Sequence, residues 1–564
     1  MVLLGSRARL AEAGLAFATT WRNVSLRRAQ LSFFAMWVAE SAFSVALSIV
    51  AYNAGGTLAV GVVGLITFLP SAVLTPLLSP FADRGRRERV LVIVEVLRGT
   101  AIAAAAVVVA LAGPVWIVFV LAAASAVPAT LYRPAHSALL PTLCRTGREL
   151  ASANVVRGLL DSTASLVGPL IAAVLLAVSD AAVVFAVASA SAFVAALLVV
   201  ALRYEAPLAE APARRPALLR EALEGLAAAW QSRDLRLILS LVAAQTLTRG
   251  ALTVFSVVVA IQLLHMGDSG AGSLMAALGA GAVIGSLAAS ILVSTWRLGA
   301  WFAIGVGVWG LPIALIGVFP EQAAALVLLA FVGVANALID AAGFTLIGRL
   351  TPDAVMARVF GVLESLVAVT IGIGSILASA LIEWFGIQPA LIVIGLICPT
   401  LAVASWWRLR RLDRSVEALD HEIGLLKRVP MFDPLPLPAI EQLARSLEPV
   451  AVPEGGTVFA QGDIGDRYYV IEAGAADVVG DGRIVATLET GDGFGEIALL
   501  RRSHRTATVR ARTALRLRAL SAERFTTAVL GYTPSSRAAD AGMDGALERY
   551  TPDAADAPDA PEGS

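Results

Sequence analysis

The stretch FGEIALL at residues 494–500, followed by RTATV at residues 505–509, is the most informative part of this chain. Gly495 has no Cβ atom, so the backbone there can come close to a ligand. Free N–H groups at the start of a short helix face an anion favourably, and Arg505 can donate two parallel hydrogen bonds to phosphate oxygens. Glu496 is then left to accept a hydrogen bond from a sugar hydroxyl. Together these residues predict a site for a cyclic phosphodiester on a ribose.

The same stretch resembles the phosphate-binding cassette of the cyclic-nucleotide-binding domain, whose usual pattern is F-G-E-[IL]-A-L, a short spacer and P-R-[TAS]-A-x-V. One position departs from it, because His504 stands where that family has proline. Residues 452–459 and 461–471 resemble the early strands of the same domain, with the turn glycines in place. The alternative is an ordinary hairpin turn at residues 493–496 and a solvated Arg505.

This resemblance covers residues 425–531 and implies a β-roll domain, which we place at residues 429–550. It implies that cAMP or cGMP binds there as a regulatory ligand, with no cofactor and no metal. The residues that match the contact positions of the family are Gly495, Glu496, Ile497, Ala498, Arg505 and Thr506.

The composition of the whole chain is that of a membrane protein. Of its 564 residues, 58% are hydrophobic and 15% are charged, and the mean hydropathy is +0.78, which is far too apolar for a soluble protein of this length. The formal net charge is zero, so no overall basic field indicates nucleic acid. The two cysteines lie far apart and predict no disulfide framework. The sequence has no Walker loop, metal-spaced His/Cys cluster or nucleophile elbow, so an enzyme is not expected.

Twelve apolar segments follow one another from residue 29, each near the roughly 20 residues that a helix needs to cross a bilayer. Their approximate spans are 29–52, 57–82, 89–112, 114–140, 150–178, 180–203, 235–263, 270–295, 298–319, 322–348, 356–382 and 386–408. A longer and more polar connection at residues 204–234 divides them into halves at 29–203 and 235–408. The predicted fold class is therefore mainly α, a polytopic membrane bundle of two six-helix halves with a C-terminal β-roll.

The arginines between the segments predict the orientation of the chain. Connections after the second, fourth and sixth segments carry arginines, whereas those at residues 53–57 and 112–114 carry none. By the positive-inside rule, both termini are cytoplasmic. The bundle is expected to lie in the plasma membrane as a multi-pass inner-membrane protein. Residues 1–28 then form a cytoplasmic segment, in which no small-residue cleavage site indicates a signal peptide.

The connection SPFADRGRR at residues 79–87 resembles the G-x-L-A-D-R-x-G-R-R loop of major facilitator transporters. Ser79 replaces the first glycine, and one residue is missing before Gly85. In that family the loop latches helix ends in the outward-facing state, so the resemblance implies a gating role for a set of four residues. These are Asp83, Arg84, Arg86 and Arg87. The alternative is a basic loop with helix caps, which the orientation requires in any case.

A second run resembles a drug- and siderophore-exporting branch of the same transporters. It comprises residues 132–141, residues 149–154 and Gly168-Pro169. This resemblance implies export of a small molecule by alternating access, driven by a proton gradient.

Ionisable residues deep in apolar segments indicate function, since they are costly in lipid unless they face a partner or water. The candidates for the transport pathway are Glu40, Arg157, Asp161, Arg249, Asp340 and Glu364. Burial raises and a nearby arginine lowers the pKa of a carboxyl group. The balance of these two effects would let Glu40, Asp340 or Glu364 exchange a proton.

Two alternatives to a transport role concern particular residues. Arg157 and Asp161 are four residues apart on one helix and could pair with each other structurally. Glu95, Arg98 and Arg133 lie near predicted segment ends, where snorkelling or capping explains them.

A connecting helix is predicted at residues 409–428, because five apolar residues recur there with spacings of four and three. They are Leu412, Val416, Leu419, Ile423 and Leu426. No flexible linker precedes the nucleotide domain, so this helix could transmit a displacement. It is too short for a coiled coil and is expected to pack within its own chain. A weaker helix at residues 535–550 could cover the base, and the acidic tail at 551–564 is expected to be disordered.

The expected function is secondary active transport, as a proton-coupled exporter regulated by cytosolic cyclic nucleotide. The expected partners are the lipid bilayer, a small-molecule substrate and the nucleotide, and the oligomeric state is open. The alternative is a membrane receptor that no longer transports and signals to a partner. A transcription factor with the same nucleotide domain is not expected, because no helix-turn-helix follows the cassette and the acidic tail would repel DNA.

Overall fold

The computed structural model describes most of the chain and divides it into two compact units, Met1–Asp413 and Arg414–Ser564. The described residues are 20–84, 86–144, 146–202, 226–227, 230–292, 297–351, 355–435, 437–501, 503–530 and 535. Several predictions lie wholly or mainly outside these residues. They are the N-terminal segment before residue 20, most of the connection at 204–234, the helix at 535–550 and the tail at 551–564.

The first unit is a bundle of long helices. Their bounds are α1 Val24–Arg84, α2 Arg87–Ala110, α3 Val115–Ala129, α4 Tyr132–Leu143, α5 Gly147–Val178, α6 Ala181–Val200, α7 Arg233–Val258, α8 Asp268–Leu292, α9 Leu298–Val318, α10 Gln322–Leu350, α11 Met356–Phe385 and α12 Ile387–Arg428. A π-helical turn, Val259–Leu263, extends α7. Within the described residues, eleven helical spans are long and apolar enough to cross a membrane.

The first helix is interrupted where the sequence predicts the first connection. Gly55 and Gly56 leave the helical conformation, and Gly56 has a φ of +63°, which a residue without Cβ adopts readily. The break separates the first two predicted segments, and α3 with α4 forms one span, Val115–Leu143. The prediction of a mainly helical membrane bundle followed by a β-roll is confirmed.

The two halves of the bundle meet through small residues. A Cβ atom on Gly272 of α8 would lie 2.7 Å from the backbone nitrogen of Ala173 on α5. One on Gly64 of α1 would lie 2.7 Å from the Cβ atom of Ser375 on α11. Since lipid provides little hydrophobic drive for helix association, close backbone packing of this kind holds membrane helices together.

In its described residues, the second unit contains two antiparallel four-stranded sheets and three short helices. The strands are β1 Glu448–Val452, β2 Thr457–Phe459, β3 Arg467–Ala473, β4 Ala476–Gly480, β5 Arg483–Leu488, β6 Gly493–Phe494, β7 Thr508–Ala511 and β8 Leu515–Ser521. The helices are α13 Leu437–Ala444, α14 Glu496–Arg501 and α15 Ala522–Leu530. The sheet orders are β1-β8-β3-β6 and β2-β7-β4-β5.

Successive side chains of a strand point to opposite faces of its sheet, so this unit has two hydrophobic cores. Ile471, Val509 and Leu517 point inward between the sheets. Tyr468, on the other face of β3, stacks on Phe525 of α15 with ring centroids 4.5 Å apart. The sheet core and the helical core therefore hold β6 and the start of α14 between them.

Candidate functional site

A cavity of about 320 Å³ in the second unit brings the predicted nucleotide contacts together. All six line it, namely Gly495, Glu496, Ile497, Ala498, Arg505 and Thr506. Its volume falls at the lower end of the roughly 300–1,000 Å³ that is usual for small-molecule sites. The cavity lies against the short strand β6 and the first turn of α14, where peptide N–H groups have no partner within the helix.

Gly495 makes the turn from β6 into α14. Its φ is +95°, a left-handed conformation that favours glycine. A Cβ atom here would also lie 2.7 Å from Nη1 of Arg505. Both the backbone conformation and the available space therefore require glycine.

Arg505 is a buried cation that two carbonyl groups hold in place. Its side chain donates from Nη1 to the carbonyl oxygen of Gly495 at 2.9 Å and from Nη2 to that of Arg467 at 2.7 Å. The guanidinium lies 4.1 Å from the ring centroid of Phe459. Burial lowers the pKa of Arg505 below its usual range, and Tyr469 and Asp466 act in the opposite direction. The group remains a cation at neutral pH, and its buried Nε has no hydrogen-bond partner among the residues that the structure describes.

Glu496 presents an unused acceptor at the other side of the turn. Within the described part of the chain, its Oε2 atom is buried and has no hydrogen-bond partner. Burial raises the pKa of the Glu496 carboxyl, and its own backbone N–H and the charge of Arg505 oppose the rise. Because buried polar atoms without partners are rare in folded proteins, Glu496 and Arg505 together indicate a polar ligand between them.

The segment before Arg505 is held without the proline that the family has. His504 forms an isolated β-bridge with Ile464. The backbone N–H of Arg505 donates to the carbonyl oxygen of Asp463 at 2.8 Å. The carbonyl oxygen of Arg505 accepts from the backbone N–H of Gly462 at 2.9 Å. These backbone hydrogen bonds restrain the chain where proline would otherwise restrict it.

The polar residues of the first half form a buried cluster that corrects one prediction. Arg98 is fully buried and pairs with Glu95 at 3.1 Å on its own helix and with Glu40 on α1. Glu95 is also fully buried, and Glu40 is partly exposed. The prediction that Glu95 and Arg98 snorkel or cap near a segment end is therefore wrong, because their charges are satisfied inside the bundle.

Asp161 has a different partner from the one that helical spacing predicts. It pairs with Arg133 of α4 at 3.4 Å, whereas Arg157 donates to Ser137 at 2.6 Å. The proposed structural pair between Arg157 and Asp161 is thus replaced by contacts to α4. Arg133 also lies over the ring of Trp37, 5.0 Å from its centroid.

Asp340 lies in a polar cluster of the second half. It accepts a hydrogen bond from Asn336 at 2.9 Å, and Asn336 accepts one from the buried Trp309 at 3.3 Å. The charged groups that act on Asp340 are Arg249 from its own half and Arg133 and Asp161 from the other. Three predicted pathway residues, Asp340, Arg249 and Asp161, thus lie around the boundary between the halves, with Arg133 as a fourth. Glu364 is exposed on α11.

A family model described as "Major Facilitator Superfamily" matches residues 30–267 and 238–447. These two matches cover more than half of the chain. The chain belongs to the major facilitator superfamily. The apolar helices and this family make it a multi-pass membrane protein of a transporter family.

The second unit of this facilitator matches another family model, described as "Cyclic nucleotide-binding domain", at residues 449–531. The cAMP-dependent protein kinase regulatory subunit of Schizosaccharomyces pombe is 43% identical over 95 residues, which are 17% of this chain and 23% of that relative. The same subunit of Yarrowia lipolytica is 40% identical over 104 residues, 18% of this chain and 28% of the relative. The facilitator therefore matches less than a third of the length of either curated relative.

Among solved structures, the regulatory domain of Toxoplasma gondii PKA with cAMP matches with a TM-score of 0.22 and 24% identity. That match covers 24% of this chain and 52% of the other.

The predicted gating residues of the facilitator lie around the end of α1. Asp83 and Arg84 are its last two residues, and their side chains are outside the described part of the structure. Arg86 pairs with Glu88, and Arg87 donates to the carbonyl oxygen of Ala138 on α4 at 2.5 Å. Arg87 thus fastens the start of α2 to α4.

One part of the nucleotide cavity was not predicted from the sequence. Residues 428–431, at the end of α12 and just beyond it, line the cavity opposite the cassette. Gly491, whose φ is +99°, allows Arg428 to approach, since a Cβ atom there would lie 3.3 Å from Cδ of the arginine. No local pattern marks these residues as ligand contacts, because the fold of the whole unit brings them to the cavity.

Proposed function

We propose that this facilitator is a secondary active transporter whose activity is regulated by cAMP or cGMP bound in its second unit. The observation that carries the nucleotide part is the cavity lined by Glu496 and Arg505, each of which has a buried polar atom without a partner among the described residues. The similarity of this unit to cAMP-dependent protein kinase regulatory subunits also supports it.

The cavity suits a cyclic nucleotide in three respects. Arg505 supplies a fixed positive charge for the cyclic phosphate, and the first turn of α14 supplies peptide N–H groups for the same anion. Glu496 supplies an acceptor for a ribose hydroxyl. The buried Ile497 and Ala498 line an apolar wall beside these groups.

The transport part of the proposal is alternating access of the two six-helix halves, directed outward and coupled to protons. The small-residue contacts between α5 and α8 and between α1 and α11 support it, because the halves can separate there without breaking ion pairs. The charges around Asp340 and Asp161 support a polar pathway at the boundary between the halves. Glu40, Asp340 and Glu364 are the carboxylates that we propose for proton exchange. In this proposal both termini are cytoplasmic.

A second candidate function is a membrane receptor that binds nucleotide and no longer transports. The departure of the loop at residues 79–87 from the family pattern favours it. Proton flux through the purified protein in liposomes separates the two functions. An imposed pH gradient that the protein dissipates when small molecules from a panel are added supports the transporter, and a gradient that stays as stable as in protein-free liposomes with every member of the panel supports the receptor.

Calorimetric titration of the detergent-purified full chain with cAMP and with cGMP tests the nucleotide site. We expect Arg505→Ala to weaken binding by about 10–150-fold, because it removes charge-assisted hydrogen bonds to the phosphate. Arg510→Ala is the matched control, since Arg510 on β7 is exposed and lies outside the cavity. Near-UV circular dichroism confirms that each variant is folded. No binding by the folded wild type, or equal binding by both variants, would refute the proposed site.

A further inference from the structure

Helix α12 contributes to both units of the chain. It runs without interruption as Ile387–Arg428, and the first unit ends within it at Asp413. In the second unit, Leu425 and Leu426 are buried in the helical core, and Arg428 lines the nucleotide cavity. One continuous helix therefore begins in the membrane bundle and ends at the nucleotide site.

Asp413 caps the first turn of a neighbouring helix. Its Oδ1 atom accepts from the backbone N–H of Gly299 at 2.6 Å, and its Oδ2 atom accepts from that of Ala300 at 2.9 Å. Residue 297, which precedes α9, makes no side-chain cap of its own. The carboxylate is only 2% exposed. The N-terminus of α9, which carries partial positive charge, is thus held by a residue of α12.

The same two helices are packed backbone to backbone along their length. A Cβ atom on Gly299 would lie 2.6 Å from the carbonyl oxygen of Leu409, and one on Gly317 would lie 2.9 Å from that of Gln388. Between these ends, a Cβ atom on Gly310 would lie 2.9 Å from the Cβ atom of Cys398. Because protein interiors are close-packed, a shift of α12 moves α9 with it.

Helix α9 also reaches the polar cluster around Asp340. Trp309, at its middle, is 1% exposed and donates to Asn336, which in turn donates to Asp340. A displacement of α9 therefore changes the surroundings of a proposed pathway residue.

We propose that Asp413 transmits nucleotide occupancy of the second unit to the transport unit. Nucleotide entering the cavity contacts the end of α12, and α12 carries the change to Asp413 and hence to the first turn of α9. This inference rests on the proposed nucleotide site and adds the residue through which that site regulates transport. The nucleotide can bias transport only as far as it binds differently to the two arrangements of the α9–α12 pair.

Hydrogen–deuterium exchange of the full chain in detergent tests this inference without knowledge of the substrate. The amides of Gly299 and Ala300 report directly on the Asp413 cap. We expect saturating cAMP or cGMP, whichever binds by calorimetry, to change their exchange by at least about threefold. The first turn of α6 is the internal control, because Asp180 caps Val183 there with the same chemistry at 3.1 Å, and its exchange should stay constant.

Two pairs of variants show whether α12 carries the effect. Glu417→Pro interrupts the helix between Asp413 and the cavity, and Glu417→Ala keeps it. We expect nucleotide binding in both, and the exchange response only in Glu417→Ala. Asp413→Asn weakens the cap, so the amides of Gly299 and Ala300 should exchange fast with and without nucleotide, whereas Asp180→Asn should leave the response unchanged.

The outcomes distinguish this inference from the proposed function. Absence of nucleotide binding in calorimetry refutes the nucleotide site, and the inference fails with it. Binding with no change at Gly299 and Ala300 leaves the nucleotide site intact and overturns the role of Asp413 alone. A response that survives Glu417→Pro in a folded, nucleotide-binding protein also overturns it.

Discussion

At the scale of single residues, glycine is required at position 495 for its backbone conformation and for the space beside Arg505, and the two requirements can be tested separately. We expect Gly495→Ala to destabilise the second unit by about 1–3 kcal/mol through its left-handed φ and to abolish nucleotide binding through contact with Arg505. Gly482→Ala is the matched control, because Gly482 has a φ of +80° but open space around it. That control should lose stability and keep binding. Thermal unfolding and calorimetry measure both effects, and equal binding by the two variants would contradict the steric argument.

Glu496 should make nucleotide affinity depend on pH. Burial raises its pKa above the ordinary value of 4.5, so acidification through the raised pKa neutralises the carboxylate while Arg505 stays charged. A charged acceptor binds a hydroxyl more strongly than a neutral one, and we expect affinity to fall about fivefold on the acid side. Calorimetry between about pH 5 and pH 8 measures it. Glu496→Gln should be independent of pH in this range, and a pH dependence that persists in it would assign the effect to another group.

The same carboxyl has the opposite effect on the stability of the empty protein. Because its folded pKa is raised, the folded state binds a proton more tightly than the unfolded state. The contribution of Glu496 to stability is therefore present below its ordinary pKa and is lost as pH rises through the raised one. Nucleotide binding, which is stronger to the charged form, offsets part of that loss.

Arg98 neutralises two carboxylates inside the bundle, so its removal should be costly. We expect Arg98→Met to lower the free energy of unfolding by about 3–5 kcal/mol, because Glu40 and Glu95 are left without a cation. Arg133→Met, at a side chain that is 46% exposed, should cost less than about 1 kcal/mol. Adding Glu40→Gln and Glu95→Gln to Arg98→Met should recover most of the loss. Thermal unfolding in detergent checks this order, and similar losses in both single variants would contradict it.

At the scale of helices and strands, packing rather than propensity distinguishes the glycines. Gly348→Ala in α10 meets open space and should stabilise the protein by about 0.5–1 kcal/mol, since alanine favours helix. Gly310→Ala in α9 meets Cδ of Pro399 at 2.7 Å and should destabilise it by about 1–3 kcal/mol. Thermal unfolding of the two variants gives opposite signs if α9 and α12 are as close as the structure shows.

How far the sequence predicts the structure depends on the range of each interaction. The long apolar runs and the stripe through Leu412 and Leu426 are local patterns, and both these leucines are buried. The pairing of Glu40 with Arg98 spans 58 residues, and spacing along one segment cannot show it. The predicted segment 89–112 matches α2 to within two residues at each end, so the error over Arg98 concerned its partners and not the ends of the segment.

The nucleotide site also has one part that local sequence predicts and another part that depends on long-range contacts. Its cassette is contiguous, so six lining residues could be named from the sequence. The contribution of residues 428–431 arises only when the chain returns β6 and the loop around Gly491 to the end of α12. No spacing rule along the sequence relates positions that far apart.

For the whole molecule, regulation implies a reciprocal effect that can be measured without a transport substrate. Suppose that nucleotide binding shifts the bundle toward one arrangement of its two halves by a certain factor. Fixing the halves by other means must then change nucleotide affinity by that same factor, because coupling is reciprocal. Phe68 of α1 and Gly372 of α11 offer such a means, because a Cβ atom on Gly372 would lie 3.8 Å from that of Phe68, a separation usual in disulfides. The double variant Phe68→Cys, Gly372→Cys can be oxidised to join these helices of opposite halves.

We expect oxidation of the double variant to change nucleotide affinity by about 5–150-fold, the usual range of coupling between sites. Each single variant, treated with the same oxidant, controls for the native Cys144 and Cys398. Adding Glu417→Pro should abolish the difference, because α12 then no longer connects the two units as one helix. An oxidised double variant that binds nucleotide like the wild type would mean that the second unit does not sense the state of the bundle. A nucleotide receptor that signals independently of transport would then account better for this chain than a regulated transporter.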